Sequence, residues 1–135
     1  MPHLQFETTA SPSATTRETF IDWVTAAYAE TMATGTGHVA VTVRCLDHDA
    51  LSLGRAPGDA PVAVCNADIR RGRSADQREA FAAAVIDRLG SDFGVPADHC
   101  YVVYTEHPGE DFVLADGPLA SWSETEATDG AVDDG

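Results

Sequence analysis

With 135 residues, 44% of them apolar, the chain has room for one domain with one modest core. No apolar stretch approaches the roughly 18 residues of a membrane span, and the start lacks the charged-then-apolar order of a signal peptide, so the cytoplasm is the expected compartment. A formal charge of -14, with Arg as the basic residue at all 8 basic positions, predicts a surface that repels nucleic acid and anionic membranes; this acidic, Lys-free composition resembles that of proteins from salt-loving microbes, whose salty cytoplasm screens the repulsion.

In chain order, the segment Pro2 to Thr9 alternates at Leu4 and Phe6 and predicts a strand. A Ser/Thr/Pro turn follows. Thr15 and Glu18 stand at capping-box spacing, and Phe20, Val24, Ala27, Tyr28 and Thr31 recur at helical intervals, so a helix is expected to run to about Ala33, ended by Gly35 and Gly37. Val39 to Leu46, dense in β-branched residues, predicts a second strand. After a Gly/Pro-bearing connection the order repeats: a strand from Pro61 to Ile69, a second capping box at Ser74 and Gln77, a helix marked by Phe81, Ala82, Val85, Ile86 and Leu89 and closed by Gly94 and Pro96, then a strand from Cys100 to Thr105.

Two strand-helix-strand repeats, about 2–47 and 61–106, define an α+β fold. Right-handed crossovers would place four strands in one mixed sheet with both helices on one face. The other face then needs cover, which a chain this short can obtain by self-association. A domain over 1–120 is expected, followed by an acidic, disordered tail over 121–135 that buries nothing and has no catalytic role. Cys45, Cys65 and Cys100 lie in apolar strand-like runs at wide spacing and read as small buried hydrophobes, with no metal site or disulfide framework implied.

Glycine-rich phosphate loops, metal-ligand spacings and serine elbows are absent from the sequence. Three features can carry chemistry. Arg70 ends a strand and Arg73 precedes the Ser74 cap, so both project from a turn beside a positive helix N-terminus, a setting for bidentate binding of a small carboxylate. Simple pairing with surface acids such as Asp68 and Asp76 is the plainer reading of the same residues. Pro2 becomes a terminal secondary amine once the initiator Met is removed; burial and nearby positive charge would lower its pKa and leave it neutral, able to take a proton from carbon next to a carbonyl. Tyr28, Tyr101 and Tyr104 are the phenols available to such a site.

These residues carry a resemblance. Ala33-Thr-Gly-Thr-Gly-His-Val-Ala-Val41 is similar to the cytokine-like branch of the tautomerase superfamily, which includes macrophage migration inhibitory factor and 4-oxalocrotonate tautomerase. Arg70-Arg-Gly-Arg-Ser-Ala-Asp76 and Glu106-His-Pro108 resemble the cis-3-chloroacrylic acid dehalogenase branch, in which the first and last arginines of the matching stretch, here Arg70 and Arg73, bind the substrate carboxylate. The resemblance covers residues 2–120 and implies a homotrimer, active sites at subunit interfaces with the amino-terminal proline at their base, and no cofactor. Departures stand beside it. Tyr28 falls where the dehalogenase branch has a histidine, Leu114 where it has a water-activating glutamate and Val103 where it has a strand tyrosine. Thr36 falls where the cytokine branch has a lysine; Tyr101 is the tyrosine taken for the pocket because its place resembles that branch.

The expected activity is therefore keto-enol tautomerisation of small 2-keto acids. Pro2 is the expected base, Arg70 and Arg73 hold the carboxylate, and Tyr28 and Tyr101 line the pocket, one of them supplied by a neighbouring subunit. Two alternatives remain. One is hydration, decarboxylation or dehalogenation of acrylate-like acids with Pro2 as general acid; the other is a trimeric binding or signalling protein with residual activity.

Overall fold

A computed structural model of the chain describes residues 2–129. Strand β1 (His3–Thr8) turns Leu4, Phe6 and Thr8 inward, all fully buried, in the alternation their spacing predicts. Helix α1 (Ala14–Thr31) packs Phe20, Val24 and Tyr28 on that face, and strand β2 (Ala40–Cys45) returns parallel to β1. The second repeat follows the same course through β3 (Ala63–Arg70), α2 (Ala75–Phe93) and β4 (Cys100–His107), with β3 and β4 parallel. The two repeats join where β1 pairs antiparallel with β3, giving the order β2-β1-β3-β4 in one mixed sheet.

Both helices cover one face of that sheet. Phe6 meets Phe20 edge-on at 5.0 Å, Phe20 meets Phe93 at 4.7 Å, and Tyr28 meets Phe81 edge-on at 5.3 Å, so aromatic rings from both repeats close the core between the helices. The opposite face is open in the single chain. It is polar over β1 and β2, where His3 bonds Thr42 at 2.9 Å and Arg44 reaches Gln5 at 3.3 Å. Along β4 it is apolar, with Tyr101 and Val103 exposed.

Several boundaries differ from expectation for local reasons. The first helix is capped by Ser13, whose side chain accepts from the Thr16 N–H, rather than by Thr15; the same spacing is available two residues earlier and adds Ala14 and Thr15 to the first turn. The helix ends at Thr31, before either glycine, because Ala33 itself takes a left-handed φ of 52°. The second capping box, Ser74 with Gln77, forms as expected, and Gly94 closes α2 at φ 72°. Cys65 and Cys100 are buried, but Cys45 is exposed, since it lies at the outer end of the edge strand β2.

The largest difference is at the C-terminal end. A small hairpin, β5 (Val113–Leu114) with β6 (Gly117–Pro118), turns the chain back toward the repeats. The expectation of disorder from Ser121 onward does not hold for 121–129: Trp122 is 9% exposed and helix α3 (Glu124–Asp129) follows it, while 130–135 lie outside the described residues. An aromatic ring large enough to bury and a backbone that finds partners outweigh the polar composition around it. The Trp122 N–H donates to Arg71 O at 3.0 Å, and its indole N–H donates to Ala33 O at 2.9 Å. The body of the chain is shaped for this return. A Cβ on Gly72, which has φ +128°, would strike the Trp122 carbonyl, and one on Gly109 would strike the backbone of Ala120 and Ser121.

Candidate active site

The head of β1, the end of α1 and the β3-to-α2 turn converge at one end of the sheet. Pro2 is buried there, and its carbonyl accepts the Ala40 N–H at 3.1 Å. Continuing the register in which His3 faces Asp68 puts Pro2 opposite Ile69, one residue before Arg70. Arg70 closes β3, the Arg71 N–H donates to His107 O at 2.8 Å and fixes the turn to β4, and Gly72 bends the chain so that Arg73 turns back under α1.

Both predicted arginines are buried, at 3% and 4% exposure. Arg70 donates from Nη1 to Ala120 O at 2.9 Å and from Nη2 to the Glu126 carboxylate at 2.6 Å. Arg73 donates from Nε to Met32 O at 3.2 Å and, over a longer reach of 3.4 Å, from Nη1 to Arg70 O. Its guanidinium lies 5.9 Å from the Tyr28 ring centroid and 5.1 Å from that of Trp122, so two aromatic faces flank the charge. Arg70 Nε, Arg73 Nη2 and the Tyr28 hydroxyl are buried without a hydrogen-bond partner among the described residues. Three donors without acceptors thus lie in one desolvated cluster.

The electrostatics follow from burial. Desolvation lowers the Arg73 pKa, and it pushes the Tyr28 phenol up to about 12 against the pull of Arg73 and Arg70. Burial also acts to raise Glu126, but hydrogen bonds from Arg70 and from Thr34 Oγ1, at 2.8 Å, together with the positive charge of both arginines, hold its carboxyl below the ordinary range.

Among the residues singled out from sequence, the structure gathers Tyr28, Arg70 and Arg73 at the strand end that Pro2 heads. Among the described residues neither Arg70 nor Arg73 pairs with Asp68 or Asp76; Asp68 instead bonds His107 at 2.8 Å. Tyr101 is not in the cluster. It pairs with Val64 near the start of β4, while Arg70 pairs with His107, so in one chain about six residues of strand, roughly 20 Å, separate them. Tyr104 faces the helices and donates to Arg78 O at 2.9 Å. Sequence reasoning missed Thr34, Trp122 and Glu126. The one available signal was a tryptophan inside a segment rich in Ser, Thr, Glu and Asp. Among the described residues no group of His, Cys, Asp and Glu could hold a metal ion, and no helix is long and apolar enough to cross a membrane.

Fold and cluster together define a duplicated strand-helix-strand protein with a buried Tyr28, Arg70 and Arg73 cluster at the end of the sheet where Pro2 precedes β1. No family model and no curated relative matches the chain by sequence. Solved structures do. A member of the cis-3-chloroacrylic acid dehalogenase family is 22% identical over 96% of this chain and 91% of its own, with a TM-score of 0.77. Macrophage migration inhibitory factor from Toxoplasma gondii is 15% identical over 87% and 99%, with a TM-score of 0.74. A fused 4-OT solved as a symmetric trimer is 17% identical over 87% and 98%, with a TM-score of 0.78. The chain has the fold of the tautomerase superfamily.

Proposed function

We propose that the protein catalyses keto-enol tautomerisation of small 2-oxo acids, with Pro2 as the proton-transferring amine after loss of Met1. The observation that carries this reading is the buried Arg73 guanidinium, whose Nη2 has no hydrogen-bond partner among the described residues, in the turn that leaves β3 just past Ile69, the position facing Pro2. The substrate carboxylate binds this guanidinium. A neutral Pro2 nitrogen then takes a proton from the carbon next to the 2-oxo group; the C–H pair becomes the C=C bond, and the oxo oxygen takes up the displaced pair as an enolate. A fixed guanidinium in a desolvated site stabilises that charge without reorganising. Protonation of the oxygen gives the enol, and the reverse sequence gives the keto acid.

A homotrimer accompanies this proposal. The open sheet face and its exposed Tyr101 and Val103 are the surface it would cover, and a structural neighbour is a symmetric trimer. Tyr101 would then reach a site through a neighbouring subunit. The hydratase alternative needs a basic carboxylate, and Glu126 is the carboxylate at hand. Arg70 and Thr34 both donate to its Oε2 and hold its carboxyl below the ordinary range, which makes it a weaker base for water.

The test is phenylenolpyruvate ketonisation, followed in high salt on protein whose mature N-terminus has been verified by mass spectrometry. Pro2→Ala should lower the rate at least about 100-fold, the scale of a lost general base. A rate indifferent to Pro2 would overturn the reading.

A further inference from the structure

Arg70 and Arg73 are alike in the motif and unlike in the fold. Arg70 already meets a carboxylate: Glu126 lies 2.6 Å away with its side chain 15% exposed, and Ala120 O takes the other arm. Arg73 hydrogen-bonds the carbonyls of Met32 and Arg70 and lies over two aromatic rings; among the described residues no carboxylate is within ion-pair distance of it, and its Nη2 has no hydrogen-bond partner. A buried guanidinium with no carboxylate at ion-pair distance is unfavourable until an anion arrives.

We propose that Glu126 sets the charge specificity of the site: by filling Arg70 with the chain's own carboxylate, it leaves one guanidinium for one substrate carboxylate, so monocarboxylic 2-oxo acids are accepted and dicarboxylic ones rejected. This rests on reading the Arg70–Arg73 cluster as the substrate site. With Glu126 ionised the cluster carries two positive charges and one negative. A monoanion neutralises it. A dianion leaves a buried excess of negative charge beside Glu126, where low polarisability makes repulsion strong. Glu126 does not simply step aside, because it is held from two sides. Thr34 donates to it at 2.8 Å, and the segment carrying it is anchored by Trp122 to Ala33 O and Arg71 O.

The experiment is calorimetric titration of the full mature chain with 2-oxobutanoate and 2-oxoglutarate, using wild type, Glu126→Gln and Glu126→Asp. Wild type should bind the monoacid at least about tenfold more tightly, and E126Q should bind both acids more tightly, with a gain for the diacid at least about tenfold larger than for the monoacid. E126D, which keeps the charge, should keep the discrimination and shows that a loss in E126Q is not a loss of fold. If E126Q gains equally for both acids, Glu126 is a competitor for any carboxylate and the proposal falls. If neither affinity moves, the ion pair only braces the chain, and the proposal falls again. Absence of binding in all three proteins would overturn the anion site itself. Binding with the expected discrimination, but with turnover indifferent to Pro2, would overturn the tautomerase reading and leave the charge filter standing.

Discussion

The Arg73 guanidinium lies 5.1 Å from the ring centroid of Trp122, so a residue in the acidic C-terminal segment forms one wall around the charge left unpaired in the cluster. The indole N–H is committed to Ala33 O. Filling the Arg73 site with an anion should therefore change Trp122 emission. Fluorescence titration with 2-oxobutanoate should show a saturable change that Trp122→Phe abolishes, because the other tryptophan, Trp23, packs by Arg88 instead.

Replacing Arg73 separates charge from geometry. Arg73→Lys keeps a cation but loses the planar fork and the hold on Met32 O. Steady-state kinetics should show KM for a 2-oxo acid rising about 10- to 100-fold, the scale of a lost charge-assisted hydrogen bond. An unchanged KM would mean the carboxylate binds elsewhere.

Glu126 gives the stability an acid limb. Its folded pKa lies below the ordinary value near 4.5, so the carboxylate is favoured in the fold. The stabilisation is complete above that ordinary value and is lost as pH falls through the folded one. Urea denaturation across that window should show a steeper loss in wild type than in Glu126→Gln.

Tyr28 gives the opposite limb. Its phenol is pushed by burial from 10.0 to about 12, so between these values the unfolded chain has lost a proton that the folded chain keeps, and stability falls as pH rises. Tyr28→Phe should flatten this part of the alkaline unfolding profile, with tyrosinate absorbance as the independent readout.

The core prediction is the simplest. Phe20 is fully buried and touches Phe6, Trp23 and Phe93. Phe20→Ala should cost about 3–5 kcal/mol in chemical denaturation, whereas Ser74→Ala at the α2 cap should cost about 0.5–2 kcal/mol.

Periodic and local features could be read directly from the chain. The inward side chains Leu4 and Phe6, the helix stripe Phe20, Val24 and Tyr28, the Ser74–Gln77 box and the placement of Arg70 and Arg73 at a strand-to-helix turn all depend on neighbours within a few residues. Two local readings slipped, since Ser13 and Thr15 offer the same cap chemistry and Ala33 reaches a backbone region usually left to glycine. Glu126 was out of reach in a different way. Its partner Arg70 is 56 residues away, and no periodicity records a contact of that kind. Tyr101 was chosen by resemblance, and a single chain leaves it on the open face far from Arg70.

Gly72 and Gly109 keep their α-carbons bare so that the strand of backbone from Ala120 to Trp122 can lie against them. The accommodation is made in residues synthesised well before the segment they receive. The two repeats are therefore built with a seam between Gly72 and Gly109 that the later segment from Ala120 to Trp122 closes.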